Sequence, residues 1–269
     1  MPPTYGLVKI NNAPTIYVLI KLSVVIITYN EERNIGRCLE SIKAIADDIT
    51  VVDSLSTDQT RTICESYGVH FLEHAFEGHI RQKNFAASQA KYPHQLSLDA
   101  DEALSEELQN SIQVAKENWP AEGYRMNRRS NYCGQWINHS GWYPDTKIRL
   151  CDIRKGRWGG MDPHDKIEMD TEAKINFLKG DILHYTYYTI DEHVSQANKF
   201  SSIAARALVE NGKPVYFIQL FVKPVAKFIR NYILRLGFLD GFYGFVICQG
   251  AAHETFLKYA KAWKMRKKG

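Results

Sequence analysis

The chain has 269 residues, 45% apolar and 24% charged, which excludes a disordered or low-complexity protein and suits one large α/β domain or one domain with an appendage. A net charge of +4 does not by itself point to nucleic acid. The charge is uneven, however: from Lys213 onward eleven lysines and arginines face only Asp240 and Glu254, a net +9 that leaves −5 for the rest. A basic C-terminal stretch on an acidic body suggests an anionic partner at one end.

Residues 1–21 read as an N-terminal extension with no assigned role. "LSVVIITYN" (22–30) is a continuous β-branched run ending in turn residues, which predicts a buried parallel strand. "EERNIGRCLESIKA" follows, with Ile35, Leu39 and Ile42 at helical spacing. "DDITVVDS" predicts a second strand, "STDQTRTICESYG" a helix ending at Gly68, and "VHFLEH" a short third strand. "GHIRQKNFAASQAKY" predicts a helix and "HQLSLD" a fourth strand. This alternation predicts an α/β fold, a doubly wound, mostly parallel sheet of the Rossmann-like kind, with ligands at the C-terminal ends of the strands. After about residue 120 the chain turns rich in aromatics and turn residues, and from Asp191 onward it reads as helical. The expected division is a catalytic domain over 22–190, with a nucleotide-binding half (22–120) and an acceptor half (121–190), and a helical basic tail over 191–269.

The five cysteines, Cys38, Cys64, Cys133, Cys151 and Cys248, form no CxxC pair. They read as free thiols in a reducing compartment and not as a zinc site. The opening MPPTYGLVKINN has no secretory pattern, and no apolar run approaches the roughly 20 residues that span a bilayer. An intracellular protein is the expectation.

Three polar clusters fall at the ends of predicted strands: Thr28-Tyr29-Asn30-Glu31, Asp53 to Asp58, and Asp99-Ala100-Asp101-Glu102. There is no GxGxxG after the first strand and no GxxxxGK[ST], so a dinucleotide fingerprint and a P-loop are both missing. Asp99-x-Asp101 suits Mg²⁺ or Mn²⁺, which accepts one or two carboxylates and takes its other ligands from phosphates and water. The competing reading is a turn at Asp99 followed by a helix that starts near Glu102, where acidic residues favour the dipole.

"LSVVIITYNEERNIGRCLESI", "VVDSLSTDQT" and "LSLDADE" resemble, in order and spacing, the signature blocks of family 2 glycosyltransferases over residues 22 to 112. "NYCGQWINHSGWYPDTKIRL", "PHDKI", "GDILHYTY" and "GFLDGFYGF" resemble the lipopolysaccharide core β-glucosyltransferase branch. The resemblance implies a GT-A fold and an inverting transfer of a hexose, glucose first among them. The donor would be a nucleotide diphosphate sugar, a UDP-sugar before others, and the acceptor a glycolipid or lipopolysaccharide core. It also implies roles. Thr28, Tyr29 and Glu31 would line the base and ribose pocket. Asp53 would bond the base, with Ser54 and Ser56 shaping the turn. Lys83 and Asn84 would lie near the nucleotide. Asp99 would face the ribose or the metal's surroundings, Ala100 would line the donor, and Asp101 would ligate the metal. The branch implies a His-Glu pair downstream as the site of the base. His164-Asp165 matches it one methylene short, which makes Asp165 the expected base, with Asp162, Asp145 and Glu168 as rivals. His184 ends a predicted strand as a second metal ligand, a diphosphate contact or a structural histidine. Trp136, Trp142 and Tyr143 read either as an acceptor wall, since aromatic faces stack on sugars, or as core. Arg125, Arg128, Arg129 and Arg149 read as contacts to acceptor phosphates or as a solvated face.

In the tail, Phe221, Val225, Phe228, Ile229, Tyr232 and Leu236 fall on one helical face, and Lys223, Lys227 and Arg230 on the opposite one. Pro224 is expected to kink the helix or start a new one. Such a segment suits the interface of an anionic membrane, or packs on the body with a solvated lysine face. The first option implies a cytoplasmic protein, peripheral at the inner face of the plasma membrane. Two other classes fit more loosely: a nucleotidyltransferase, whose Gly-rich basic first loop "TYNEERN" does not supply, and a non-catalytic binding module.

Overall fold

A computed structural model describes residues 5–10, 13–161 and 164–266. In chain order these form β1 (Tyr5–Ile10), β2 (Ala13–Val18), β3 (Leu22–Thr28), α1 (Ile35–Ile42), β4 (Asp48–Asp53), α2 (Thr60–Ser66), β5 (His70–Glu73), α3 (His79–Gln89), β6 (His94–Asp99), β7 (Glu102–Leu104) and α4 (Glu106–Glu117). There follow β8 (Gly123–Tyr132), β9 (Gln135–Trp136), β10 (Asp145–Asp152), β11 (Gly156–Met161), β12 (His164–Met169), β13 (Ile175–Tyr187), α5 (Ile190–Glu210), α6 (Gln219–Ile229) and α7 (Gly241–Arg266). A π-helical turn (Arg230–Leu234) and a 3₁₀ turn (Gly237–Asp240) join α6 to α7. The extension ahead of β3 contains an antiparallel hairpin, β1 with β2.

The chain divides into two units, one of residues 1–128 and 146–184, the other of residues 129–145 and 185–269. A nine-stranded sheet has the order β5-β4-β3-β6-β10-β8-β13-β7, with β9 paired to β8. Its first four strands are the parallel ones expected, and β10 joins β6 antiparallel. β3 is central, and its run of β-branched residues is buried because helices cover both faces of a parallel sheet. α1 lays Ile35, Cys38, Leu39 and Ile42 on the sheet, the four buried positions of its 3.6-residue period.

Register matters more to the site than strand count. β3 pairs Thr28 with Asp53 on one side and Ile27 with Asp99 on the other. The three polar clusters therefore emerge from one edge of the sheet, at the C-terminal ends of β3, β4 and β6. Ser105, not Glu102, caps α4, accepting from the Leu108 backbone nitrogen at 3.3 Å. Glu102 belongs to β7 and is buried, so the expectation that it starts a helix is corrected.

In the second unit a capping box of Thr189 and Glu192 starts α5, and the helical reading of the C-terminal stretch holds. α6 runs through Pro224 and gives way to the π-helical turn five residues later. Asp240, buried at the end of the 3₁₀ turn, accepts from the backbone nitrogens of Asn138 and His139 at 3.0 and 2.9 Å.

Leu98 is fully buried immediately before Asp99. Leu98→Ala is expected to cost about 3 kcal/mol, as a truncated core leucine does. Denaturant unfolding monitored by tryptophan fluorescence measures the loss.

Candidate active site

The loops after β3 and β4 are tied to each other by side chain to backbone bonds. Ser56 Oγ accepts from the Asn30 nitrogen at 2.7 Å, and Asn30 Oδ1 accepts from the Thr57 nitrogen at 2.8 Å. Thr60 Oγ1 accepts from the Glu31 nitrogen at 2.8 Å, and Asp58 from the Glu32 nitrogen at 3.0 Å. Asn30 itself takes a φ of 52°, a left-handed conformation that asparagine tolerates better than most residues. Asp53 is buried and accepts from the Ser56 backbone and hydroxyl, so it shapes its own loop. Ser54 accepts from Gln82 at 3.1 Å. Tyr29 projects its ring into solvent at 59% exposure, whereas Thr28 is buried with a hydroxyl that has no hydrogen-bond partner.

At the end of β6 lies a cluster of charges drawn from five elements. Lys83, on α3, is buried, with Nζ 3.0 Å from Asp99 and 2.7 Å from Asp165 on β12. Arg149, on β10, is also buried and reaches Asp99 at 3.1 Å and Glu102 at 3.0 Å. Both cations lie over the Trp158 ring of β11, Lys83 at 4.4 Å and Arg149 at 5.2 Å from its centroid. Burial by itself would raise the Asp99 carboxyl, but the charges of Lys83 and then Arg149 outweigh it and hold the group far below the ordinary carboxylate range. Asp99 is an ionised carboxylate at any physiological pH.

Asp101 stands apart from this cluster. Its carboxylate lies 3.1 Å from Nε2 of His184, on β13, and both side chains keep partial access to solvent. Among the described residues no three His, Cys, Asp or Glu side chains assemble into a closed metal cage. Asp101 with His184 is an open pair. Ala100 is buried between the two aspartates and donates its backbone N–H to Ile27 at 3.2 Å.

The first unit thus brings together Thr28, Glu31, Asp53, Ser54, Lys83, Asp99, Ala100, Asp101, Asp165 and His184. Asn84 is committed elsewhere, bonding both the oxygen and the nitrogen of the Trp158 backbone at 2.9 and 3.2 Å. Glu168, a rival base, is on the far face of β12 from Asp165 and pairs with Lys166 at 3.4 Å. Asp162 and the His164 side chain lie outside the described residues. Trp136, Trp142, Tyr143 and Asp145 belong to the second unit. There Trp142 packs edge-on against Tyr132 and Trp136 against Tyr185.

A family model described as glycosyl transferase family 2 matches residues 23–165. The chain belongs to that family. Residues 23–165 hold the strand-end clusters, the charge cluster and Asp165. This family 2 glycosyltransferase has the GT-A fold that its parallel strands and antiparallel partners describe. It is 33% identical over 251 residues to an uncharacterized glycosyltransferase of Rickettsia typhi, covering 90% of this chain and 86% of that one. It is 30% identical over 250 residues to the lipopolysaccharide core biosynthesis glycosyltransferase LpsC of Rhizobium meliloti, covering 90% and 92%. A solved structure of residues 1–349 of TarS from S. aureus with UDP-GlcNAc aligns over 93% of this chain and 92% of that one, with 16% identity and a TM-score of 0.46.

Arg149, expected to meet acceptor phosphates or lie on a solvated face, is instead buried against Asp99 and Glu102, and Trp158 was not singled out in the sequence at all. Arg149 alone carried a signal, a charge between Ile148 and Leu150 in a strand-like run, which needs a buried partner.

Burial pushes the Glu31 carboxyl up to about 7, opposed by a hydrogen bond from Asn34 at 2.7 Å and reinforced by the charge of Asp101. The folded protein therefore holds this proton where an exposed glutamate, near 4.5, has lost it. Stability from this group is complete below pH 4.5 and is lost as pH rises through 7. Glu31→Gln is expected to flatten that part of the profile. Thermal unfolding between pH 4.5 and 8 checks it, and an unchanged slope in the variant excludes Glu31 as the cause.

Proposed function

We propose that the enzyme transfers a hexose, with inversion, from a nucleotide diphosphate sugar to a glycolipid or lipopolysaccharide-core acceptor. A UDP-sugar is the first donor to examine. The observation that carries the reading is the edge where Asp99, Asp101, Asp165, Lys83 and His184 converge, in a chain of family 2. The relative named for lipopolysaccharide core biosynthesis supports the acceptor class.

In this reading the interlocked loops of Thr28 to Glu31 and Asp53 to Ser56 would form the nucleoside pocket, with Asp53 meeting the base and Asp99 the ribose. Asp101 and His184 would hold Mg²⁺ or Mn²⁺. The pair fits such an ion, because a hard cation accepts few protein ligands when a diphosphate supplies the rest. Bound there, the ion would neutralise charge on the departing diphosphate.

Asp165 is the base. It removes the proton of the acceptor hydroxyl as that oxygen attacks the anomeric carbon from the face opposite the diphosphate. Its contact with Lys83 aims it, and Lys83 is itself held by Asp99. Trp136, Trp142 and Tyr143 would present aromatic surface to the acceptor.

The tail carries the second half of the proposal, a peripheral position on an anionic membrane. No helix of the described residues is long and apolar enough to cross one. No residue of α6 is buried, and Phe221, Val225 and Ile229 are each about half exposed. An apolar helical face beside Lys223 and Arg230 matches the chemistry of a lipid interface, with acyl chains below and anionic headgroups around it.

Asp165→Asn is expected to lower kcat at least about a hundredfold with little change in donor affinity, as loss of a general base does. Asp101→Asn should abolish metal-stimulated transfer. Release of nucleoside diphosphate from a panel of nucleotide sugars, with and without chelator, measures both. Full activity in either variant removes that residue from its role. Phe221→Asp with Ile229→Asp should weaken binding to vesicles containing phosphatidylglycerol by about tenfold or more, since each side chain gives up apolar burial. Flotation of the full-length protein with the vesicles reads this, and equal flotation of variant and parent excludes the helix as the contact.

A further inference from the structure

The second unit contains a pocket of about 440 Å³ that shares Trp142 with the proposed acceptor wall and includes none of the residues assigned to donor, metal or base. Trp142 and Tyr187 line it with aromatic surface, and Lys227, Arg235 and Lys258 line it with positive charge. Glu254 is the single carboxylate in the lining, so the wall carries a net +2.

These cations are not spent on the protein. Among the described residues the side chains of Lys227 and Arg235 make no hydrogen bond and no ion pair within 4 Å, and neither does Glu254. Burial lowers the Lys227 ammonium from its ordinary value, and the charges of Arg235 and Arg230 lower it further. The cost of gathering like charges in this half-buried wall is offset only through space, by the charge of Glu254. Asn231 adds a second anomaly. It is only 4% exposed, lines the same pocket, and its Oδ1 has no hydrogen-bond partner.

Arg235 is also built into its place. Its carbonyl accepts from the Ser140 nitrogen at 3.0 Å. Gly141 has a φ of +79°, and a Cβ there would come within 2.1 Å of Arg235 Nη1. A glycine in this conformation lets the guanidinium lie against the backbone. The sequence pattern placed Lys227 on a solvated face, but the helix turns it into the pocket instead, while Phe221 and Val225 face out.

We propose that this pocket binds a sugar phosphate: a phosphomonoester against Lys227, Arg235 and Lys258, with its sugar ring against Trp142 and Tyr187. A phosphomonoester brings a charge of about −1.5 to −2 at neutral pH, which matches the wall. A sugar hydroxyl supplies the donor that Asn231 Oδ1 lacks. A volume of this size lies within the range of small-molecule pockets. The phosphate could arrive on a free sugar or on the saccharide of a glycolipid, since the chemistry met by the wall is the same. The pocket deepens the acceptor half of the proposed function and rests on that reading only for its purpose. Binding is measured without donor or metal, so its failure is separate from failure of transfer.

The test is calorimetric titration of the full-length protein with glucose 6-phosphate, inorganic phosphate and glucose at constant ionic strength. Glucose 6-phosphate should bind more tightly than inorganic phosphate, and glucose alone should not register. Lys227→Gln and Arg235→Gln should each weaken binding about tenfold. Glu254→Gln, which removes the opposing carboxylate, should tighten it, a gain that misfolding does not produce. Saturating UDP should leave the affinity unchanged, because the site is not the donor cleft. Vesicles containing phosphatidic acid, with and without competing glucose 6-phosphate, separate a lipid-borne phosphomonoester from a soluble one. No binding of glucose 6-phosphate by the parent protein, or equal affinity in the parent, Lys227→Gln and Glu254→Gln proteins, overturns the proposal, as does displacement by UDP.

Discussion

Lys83 is the side chain on which the candidate active-site edge depends. A buried ammonium is stable only among opposite charges, and Lys83 has two carboxylates, Asp99 and Asp165, from strands far apart in sequence. Asp99 in turn needs Arg149, and Arg149 needs Glu102. Three strands of the main sheet, β6, β7 and β10, and β12 of the β11–β12 hairpin are thereby bound to α3 by charge. Removing any one member leaves an uncompensated charge in a region of low dielectric. The same coupling aims Asp165, because its carboxylate is fixed at 2.7 Å from an ammonium that cannot itself move without unpairing Asp99. The position of the proposed base thus comes from one set of contacts.

The sheet register supplies the other constraint. A one-residue slip of β6 against β3 would turn Asp99 to the opposite face and bring Leu98 to the edge. The burial of Leu96 and Leu98, which point to the core, forbids that slip. Apolar packing on one face therefore holds the carboxylates at the rim, and the bonds between the loops of Asn30 and Ser56 hold the rim itself.

What was legible in the sequence follows from this. Strands β3 and β4 could be read from β-branched runs that end in turn residues, and β6 from a short apolar alternation ending at Asp99, because such signals are local. The strand-end clusters followed, since a strand's direction fixes which end carries them. The partners of those clusters could not be read. Lys83 meets Asp165 across 82 positions and Arg149 meets Asp99 across 50, and no periodicity records a contact at such separation. Glu102 illustrates the limit. An acidic residue after Asp101 looks like the first turn of a helix, but Ser105 offers the better cap, and the three residues before it pair as a strand with β13. Asn84 shows the reverse: the family resemblance implied a place near the nucleotide, while its amide fastens the Trp158 backbone.

The second unit makes a related point about amphipathic helices. Helical spacing divides α6 into an apolar and a basic face, but the pattern cannot say which face meets water. Here Phe221, Val225 and Ile229 are exposed, and Lys227 is drawn inward beside Arg235. Phe228 and the following Tyr232, assigned to the same face by periodicity, stack on each other and meet Phe245 of α7 instead. A helix in a protein folded only for water would reverse this, with carbons inside and ammonium groups outside. Both departures carry a free-energy cost in isolation, and both are relieved by the same kind of partner, one that presents apolar and anionic groups together. A phosphorylated glycolipid at a membrane surface has that composition, so the proposals for the exposed face of α6 and for the charged pocket lined by Lys227 call for the same class of acceptor.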